Sequence, residues 1–142
     1  MRTRLKQVAR ELSLPFGDRE MTYNSRLAQE LGKWAEQMGK GEAFHSAVFR
    51  AYFADGRNIG DIDTLADIAL SVGLSGDGAR GVLNGGDFQA AVDADWARAY
   101  ASRITAVPTF CMDGQSLVGA QPYNVLANFM LQNKVSRRLI NQ

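Results

Sequence analysis

The sequence predicts a mostly helical α/β fold, with about seven helices and one β-hairpin in a single domain of 142 residues. Three observations support this fold class. Apolar residues recur at helical spacing from the N-terminus to about residue 103. The period then changes, and the short β-favouring run 109–112 follows Pro108. Asp113-Gly114 provides a hairpin turn before the return strand at 115–119.

The first three helices are predicted from their apolar stripes and their end signals. One covers residues 2–13. The second is capped by Asn24 or Ser25 and ends at Gly39, and the third covers about 42–54. The residues that we assign to their buried faces are Leu5, Val8, Ala9, Leu12, Leu27, Leu31, Trp34, Met38, Phe44, Val48, Ala51 and Tyr52.

Four more helices are predicted further along the chain. Asp61 or Asp63 caps the fourth, and Ser75 caps a short, glycine-rich fifth. The sixth covers residues 88–103, because large apolar residues repeat there every four positions. Pro122 suits the first turn of a last helix over 122–131.

Composition and charge exclude several classes of partner. The chain is 46% hydrophobic and 22% charged, with a net charge of +1, which predicts no nucleic-acid partner and no attraction to acidic membranes. It has no long apolar run and no apolar segment typical of a secretory signal, so we expect no membrane span. The single Cys111 fits a reducing compartment, and we expect a cytoplasmic location.

Two groups of segments carry a family resemblance. The first consists of residues 47–53 (AVFRAYF), 56–59 and 72–74, and the second of residues 104–110 (ITAVPTF), 113–114 and 119–122 (GAQP). In this order and spacing they resemble the DsbA-like thioredoxin-fold oxidoreductases of the FrnE type. The resemblance implies the C-terminal half of a thioredoxin fold. Residues 24–103 would be the DsbA-type helical insertion, and residues 104–142 the cis-proline loop, hairpin and last helix.

The resemblance also implies a substrate-binding loop. In that family the proline that matches Pro108 is cis, and the backbone of the residue that matches Val107 pairs with an extended thiol or peptide substrate. Val107 and Pro108 are therefore the candidate substrate-binding residues. Relatives of the family, the 2-hydroxychromene-2-carboxylate isomerases and kappa-class glutathione transferases, use glutathione. Glutathione is thus the one cofactor that the resemblance leaves possible, and we otherwise expect none.

The chain departs from the family at its beginning. Members start with a strand, a Cys-x-x-C motif or a serine in its place, and a helix, whereas this chain starts with a segment that resembles a later helix. Cys111 lies between Phe110 and Met112 in a predicted strand, and we interpret it as a buried structural thiol. We therefore expect a truncated family member that lacks its redox motif, has no catalytic residue and is inactive alone.

Two other functions stay open, and both bear on partners. The chain could be a non-catalytic binding or assembly module, or a relic of a glutathione-dependent isomerase or transferase. An open hairpin edge would recruit another strand, so we expect a homodimer formed edge to edge or by exchange of helix 2–13. The apolar faces that we expect to be uncovered carry Trp96, Tyr100, Phe129 and Met130.

The remaining polar and aromatic candidates have simpler interpretations. His45 has no Asp or Cys partner at a recognisable spacing, so we assign it to a helix face or cap. Helix capping accounts for Asp61 and Asp63, and no metal-ligand cluster is visible. The aromatic residues that we interpret as core rather than as a cofactor site are Trp34, Phe49, Phe53, Trp96 and Tyr100.

Overall fold

Seven helices and two strands form within residues 2–18 and 21–136, the parts of the chain that the computed structural model describes. This confirms the mostly helical α/β class. The elements are α1 (Arg2–Glu11), α2 (Arg26–Gln37), α3 (Gly41–Phe53), α4 (Ile62–Ser71), α5 (Gly76–Gly85), α6 (Gln89–Ala101), β1 (Thr109–Met112), β2 (Gln115–Val118) and α7 (Tyr123–Gln132). The chain divides into two compact units, Met1–Asp95 and Trp96–Gln142.

The hydrophobic core of the first unit lies among α2, α3, α4 and α5. Helix α2 packs against α3, α4 and α5, and α4 packs against α3 and α5. The predicted stripes of α2 and α3 supply part of this core, since Leu31 and Phe44 are fully buried. Four residues assigned to buried faces are instead exposed, because periodicity does not show what covers a face: Leu5, Val8, Leu12 and Met38. The other buried members of the cluster are Ala28, Ala35, Ala51, Ile59, Leu65, Ala66, Ile68, Ala69, Leu74, Ala79 and Leu83.

Side chains fix where α4 and α5 begin. Asp61 accepts a hydrogen bond from the backbone N–H of Thr64 at 2.8 Å, and Ser75 accepts one from Gly78 at 3.0 Å. Both are the predicted N-caps, and each satisfies a backbone donor that the helix itself leaves unpaired. Gly86 follows the last residue of α5 as its C-cap, and its φ of 67° lies in the left-handed region that favours glycine.

A close backbone approach holds the segment after α1 against the end of α3. The N–H of Gly17 donates to the carbonyl of Phe53 at 2.8 Å. A Cβ at Gly17 would lie 2.0 Å from the carbonyl oxygen of Ala54, so only glycine fits there. Phe16 packs beside Phe53, with ring centroids 6.1 Å apart.

The second unit contains the end of α6, the hairpin and α7. Strands β1 and β2 pair antiparallel, with Phe110 opposite Leu117 and Met112 opposite Gln115. Asp113 and Gly114 have φ values of 46° and 76°, the left-handed pair that a two-residue hairpin turn requires. The predicted turn and hairpin are therefore confirmed.

Burial in this unit only partly follows the sequence expectation. Trp96, Tyr100 and Met130 are exposed, as an uncovered apolar face requires, and Tyr100 is 84% exposed. Phe129 is buried, against the same expectation. Assigning Trp96 and Tyr100 to the core is wrong, because periodicity identifies a helix face but does not show whether another element covers it.

Candidate functional site

Two hydrogen bonds shape the loop before β1. The hydroxyl of Thr109 donates to the carbonyl of Ala106 at 2.6 Å, and the N–H of Gly119 donates to the carbonyl of Pro108 at 2.8 Å. Between these anchors the Val107–Pro108 peptide bond is cis. Val107 is 89% exposed, so the loop presents its backbone and side chain at the surface of the second unit.

The outer edge of β1 continues this surface. In an antiparallel pair, alternate residues exchange backbone hydrogen bonds with the partner strand, and the residues between them point away. The Gly119–Pro108 bond and the register place Phe110 and Met112 among the residues bonded to β2. The N–H and C=O groups of Thr109 and Cys111 therefore face away from β2. The sheet formed by the described residues has two strands, so this edge of β1 has no strand partner.

Cys111 is exposed, and its interpretation as a buried structural thiol is wrong. That interpretation relied on its apolar neighbours Phe110 and Met112. Successive side chains of a strand point to opposite faces, so neither neighbour shares the face of Cys111. The residue opposite Cys111 on β2 is Ser116, which is small and exposed.

A second candidate is an apolar groove of about 390 Å³ in the first unit, which we call the α3 groove. It is lined by Thr22, Tyr23, Ser25, Ala28, Gln29, Phe44, His45, Val48, Phe49, Tyr52, Phe53 and Ile59. None of these residues is Asp, Glu, Lys or Arg. Phe49 stacks beside Phe53 with ring centroids 6.1 Å apart, and Tyr52 meets Phe53 edge to face at 4.8 Å.

Sequence reasoning missed this groove. It assigned Phe49 to the core, but Phe49 is 61% exposed. Phe49 and Phe53 lie on the flank of the α3 stripe, and a flank can line either a core or an open groove. The sequence does contain one signal. Helix α3 is apolar on more than one side, whereas a helix that packs against a single surface needs only one apolar face.

His45 has an acidic neighbour that its sequence spacing does not reveal. Its Nε2 lies 3.7 Å from Oε1 of Glu36, nine positions earlier and on the neighbouring helix. Gly32 makes room for the imidazole, since a Cβ there would lie 3.1 Å from Nε2. The helix-face assignment of His45 is correct, and its neighbour Glu36 is a contact that the search for an Asp or Cys partner did not consider.

Arg26 links the start of α2 to α6. Its Nε lies 2.7 Å from Oε1 of Glu30, and its Nη1 lies 2.7 Å from Oδ1 of Asp93. Hydrogen bonds to Asp93 and then to Glu30 raise the pKa of Arg26 above its ordinary value. Glu30 is only 2% exposed, and its Oε2 has no hydrogen-bond partner among the described residues. The charge of Glu30 therefore depends on Arg26 for compensation.

The carboxylates at the start of α4 have different roles. The backbone N–H of Thr64 lowers the pKa of Asp61 below its ordinary value of 3.8. Asp63 does not cap the helix, which corrects the second half of that assignment. Its Oδ1 instead accepts a hydrogen bond from Nε of Arg80 at 2.9 Å, and this bond raises the pKa of Arg80.

Both sites offer groups that can bind a ligand. The loop at Val107 offers backbone groups, and the α3 groove offers apolar and polar side chains together with the imidazole of His45. Within the described residues no three His, Cys, Asp or Glu side chains lie close enough to hold a metal ion. None of the described helices has the length and apolar character needed to cross a membrane.

This chain is similar to a known family and to a curated protein. The family model described as a DSBA-like thioredoxin domain matches residues 1–131. The uncharacterized protein YwbO of Bacillus subtilis (strain 168) is 37% identical over 95 residues, which are 66% of this chain and 48% of YwbO. The chain thus spans about half the length of this curated relative.

A solved structure also supports a DsbA-like fold. The crystal structure of a probable DsbA oxidoreductase from Streptomyces coelicolor matches with a TM-score of 0.78 at 28% sequence identity. The match covers 94% of this chain and 59% of the Streptomyces chain. The predicted DsbA-like thioredoxin fold is therefore confirmed.

Proposed function

The chain belongs to the DSBA-like thioredoxin domain family, and from that premise we propose that it is a substrate-binding part of a thiol–disulfide oxidoreductase of the FrnE type. In this proposal Val107 and Pro108 receive an extended thiol or peptide substrate. The chain by itself does not catalyse disulfide exchange. The observation that carries the proposal is the nearly complete exposure of Val107 beside an unpaired strand edge.

The geometry suits recognition through the main chain. An extended peptide can add to a sheet edge, where backbone hydrogen bonds supply affinity for many sequences. The anchors from Thr109 to Ala106 and from Gly119 to Pro108 hold the loop at the end of that edge. A substrate strand that follows β1 past Thr109 would next meet the backbone of Val107.

The cysteine content supports inactivity of this chain alone. Disulfide exchange proceeds by thiolate attack and a mixed disulfide, which a second thiol must resolve. The chain contains one cysteine, so it has no second thiol of its own to resolve such a complex. Cys111 could form a mixed disulfide with a substrate, but turnover would need a thiol from elsewhere.

Partner and location complete the proposal. When no substrate strand occupies it, the same open edge of β1 can pair with its copy in a second chain, which gives a homodimer. Exchange of α1 is the alternative route to a homodimer. No cofactor is required for substrate binding through the backbone. We place the chain in the cytoplasm, because one cysteine is compatible with a reducing compartment.

Peptide binding tests the role of Val107. A fluorescently labelled, extended peptide that contains cysteine is titrated with the protein, and binding is followed by fluorescence anisotropy. Val107→Pro removes the backbone N–H and should weaken binding about three- to tenfold, the value of one hydrogen bond. Val107→Ala keeps the N–H and should bind like the parent chain. Equal binding by Val107→Pro, or an equal loss with Val107→Ala, would contradict backbone recognition.

A turnover assay tests the second part of the proposal. The parent chain and Cys111→Ser should both fail to accelerate reduction of a protein disulfide by a small dithiol. Turnover that the parent shows and Cys111→Ser loses would assign redox catalysis to this one cysteine.

A further inference from the structure

The α3 groove carries a binding function of its own, separate from the loop at Val107. We propose that it binds an uncharged, elongated aromatic small molecule of two or three rings. The groove lies wholly within Met1–Asp95, so the inference goes beyond the proposed function and does not depend on it.

The shape of the groove follows from the spacing of its residues on α3. His45, Val48, Phe49, Tyr52 and Phe53 lie on one helix face, at intervals of three and four positions. From His45 to Phe53 the helix rises by roughly 12 Å, at 1.5 Å per residue. The groove has a volume of about 390 Å³. From this volume and the length of the helix face we infer that a long, narrow ligand fits better than a round one.

The ring geometry favours an aromatic ligand. Phe49 and Phe53 lie with an interplanar angle of 15°, and Phe49 is 61% exposed. A further flat ring can therefore stack on an existing pair of rings and bury the open face of Phe49. Offset-stacked and edge-to-face rings attract each other beyond the effect of buried area alone.

The lining also selects against charge. Among the described residues, its polar groups are the side chains of Thr22, Ser25, Gln29 and His45, and none of those that line it is Asp, Glu, Lys or Arg. Gln29 Nε2 already donates to Ser25 Oγ at 3.0 Å. An ionised ligand would lose hydration, and among the described lining residues it would meet no carboxylate, ammonium or guanidinium group, only the imidazole of His45. The polar side chains of the lining can accommodate one hydrogen-bonding substituent of the ligand.

Two dyes of nearly equal shape test the proposal on the intact chain. N-phenyl-naphthylamine is uncharged and fluoresces in apolar surroundings, and anilinonaphthalene sulfonate adds one negative charge to the same ring system. The neutral dye should bind saturably, with one site per chain, and at least about tenfold more tightly than the sulfonate. No saturable binding, or tighter binding of the sulfonate, would overturn the proposal.

Substitutions locate the dye. Phe49→Ala should weaken binding of the neutral dye about tenfold, and Phe49→Tyr, which keeps the ring, should retain it. The matched control is Leu70→Ala on α4, because Leu70 is 64% exposed and lies outside the groove. Thermal unfolding should show that all three variants fold, since both positions are largely exposed. Equal losses for Phe49→Ala and Leu70→Ala would overturn the assignment to the groove.

Competition separates this ligand class from other occupants. A permanently unfolded, carboxymethylated protein that displaces the dye at micromolar concentration would reassign the groove to polypeptide segments. Dye affinity that falls as the chain concentration rises would reassign it to a second copy. Val107→Pro should leave dye binding unchanged, so failure of this proposal and failure of the proposed function give different results.

Discussion

Arg26 compensates a carboxylate that water scarcely reaches. Glu30 is almost fully buried, and its Oε1 lies 2.7 Å from Nε of Arg26. Removing one partner of a buried pair leaves the other charged and unpaired, which costs more than losing an exposed pair. The second partner of Arg26 is Asp93, which is 64% exposed. Water screens this ion pair, so it contributes little to stability.

Denaturant unfolding of three variants tests whether the pair of Arg26 with Glu30 contributes more to stability than the pair of Arg26 with Asp93. Asp93→Ala should lower the free energy of unfolding by less than about 1 kcal/mol. Arg26→Ala should lower it further, because the charge of Glu30 then lacks compensation. Adding Glu30→Gln to Arg26→Ala should restore part of the loss, because the buried group is then neutral. A double variant less stable than Arg26→Ala would show that the charge of Glu30 is not the cause.

The N-cap Asp61 predicts a pH dependence of stability. Its pKa is lowered in the folded chain by the backbone N–H of Thr64, so the ionised form stabilises the fold. That contribution is fully present above the ordinary value of 3.8 and is lost as the pH falls through the lower folded value. Asp61→Asn keeps a capping oxygen without the titration. The stability difference between the parent and Asp61→Asn, from unfolding curves at several pH values, should shrink as the solution becomes acidic. A constant difference would contradict this linkage.

Single residues also show what sequence can and cannot predict. Asp61 and Ser75 were identifiable as caps, because capping depends on a side chain and a backbone donor three positions apart. Cys111 was misassigned, because burial in a strand depends on what covers a face. The pair of His45 and Glu36 joins two helices, and no local spacing encodes such a contact.

At the scale of elements, Gly17 sets how the segment after α1 meets the end of α3. Gly17→Ala would force the Cβ against the carbonyl of Ala54, 2.0 Å away, and the backbone would have to shift. We expect a clear loss of stability and weaker packing of Phe16 on Phe53. The matched control is Gly81→Ala, since Gly81 lies in α5 with nothing within 4 Å of a Cβ. It should stabilise the chain by up to about 1 kcal/mol. Thermal unfolding of both variants measures this, and a neutral Gly17→Ala would contradict the close approach.

Most elements were predictable because their signals are local. Apolar periodicity, the caps and the Asp113-Gly114 turn each depend on residues within a few positions of one another. The α3 groove was not predictable from local signals, since it forms where α3, the start of α2 and Ile59 leave a space between them. A sequence pattern gives the faces of these helices but not the gaps in their packing.

At the scale of the whole molecule, the open edge of β1 predicts self-association. Thr109 and Cys111 direct backbone groups outward, and two antiparallel copies of this edge can pair across a two-fold axis. We expect sedimentation velocity at micromolar concentration to show a dimer.

Two substitutions at one position distinguish edge pairing from other routes. Cys111→Pro removes an outward N–H without touching the bonds to β2, and it should shift the chain toward monomer. Cys111→Ser keeps that N–H and should remain a dimer under reducing conditions. A parent chain that sediments as a monomer would refute the edge-to-edge arrangement. A Cys111→Pro dimer as stable as the parent would instead point to exchange of α1.

The Arg26 contacts have a further consequence for how related sequences diverge. Replacing Arg26 alone leaves Glu30 buried and uncompensated, whereas replacing Glu30 first leaves Arg26 with Asp93. The order of substitution therefore matters, and the route that neutralises position 30 first passes through the more stable intermediate. An alignment of relatives should contain chains with Arg26 and a neutral residue 30, but few with Glu30 and an uncharged residue 26.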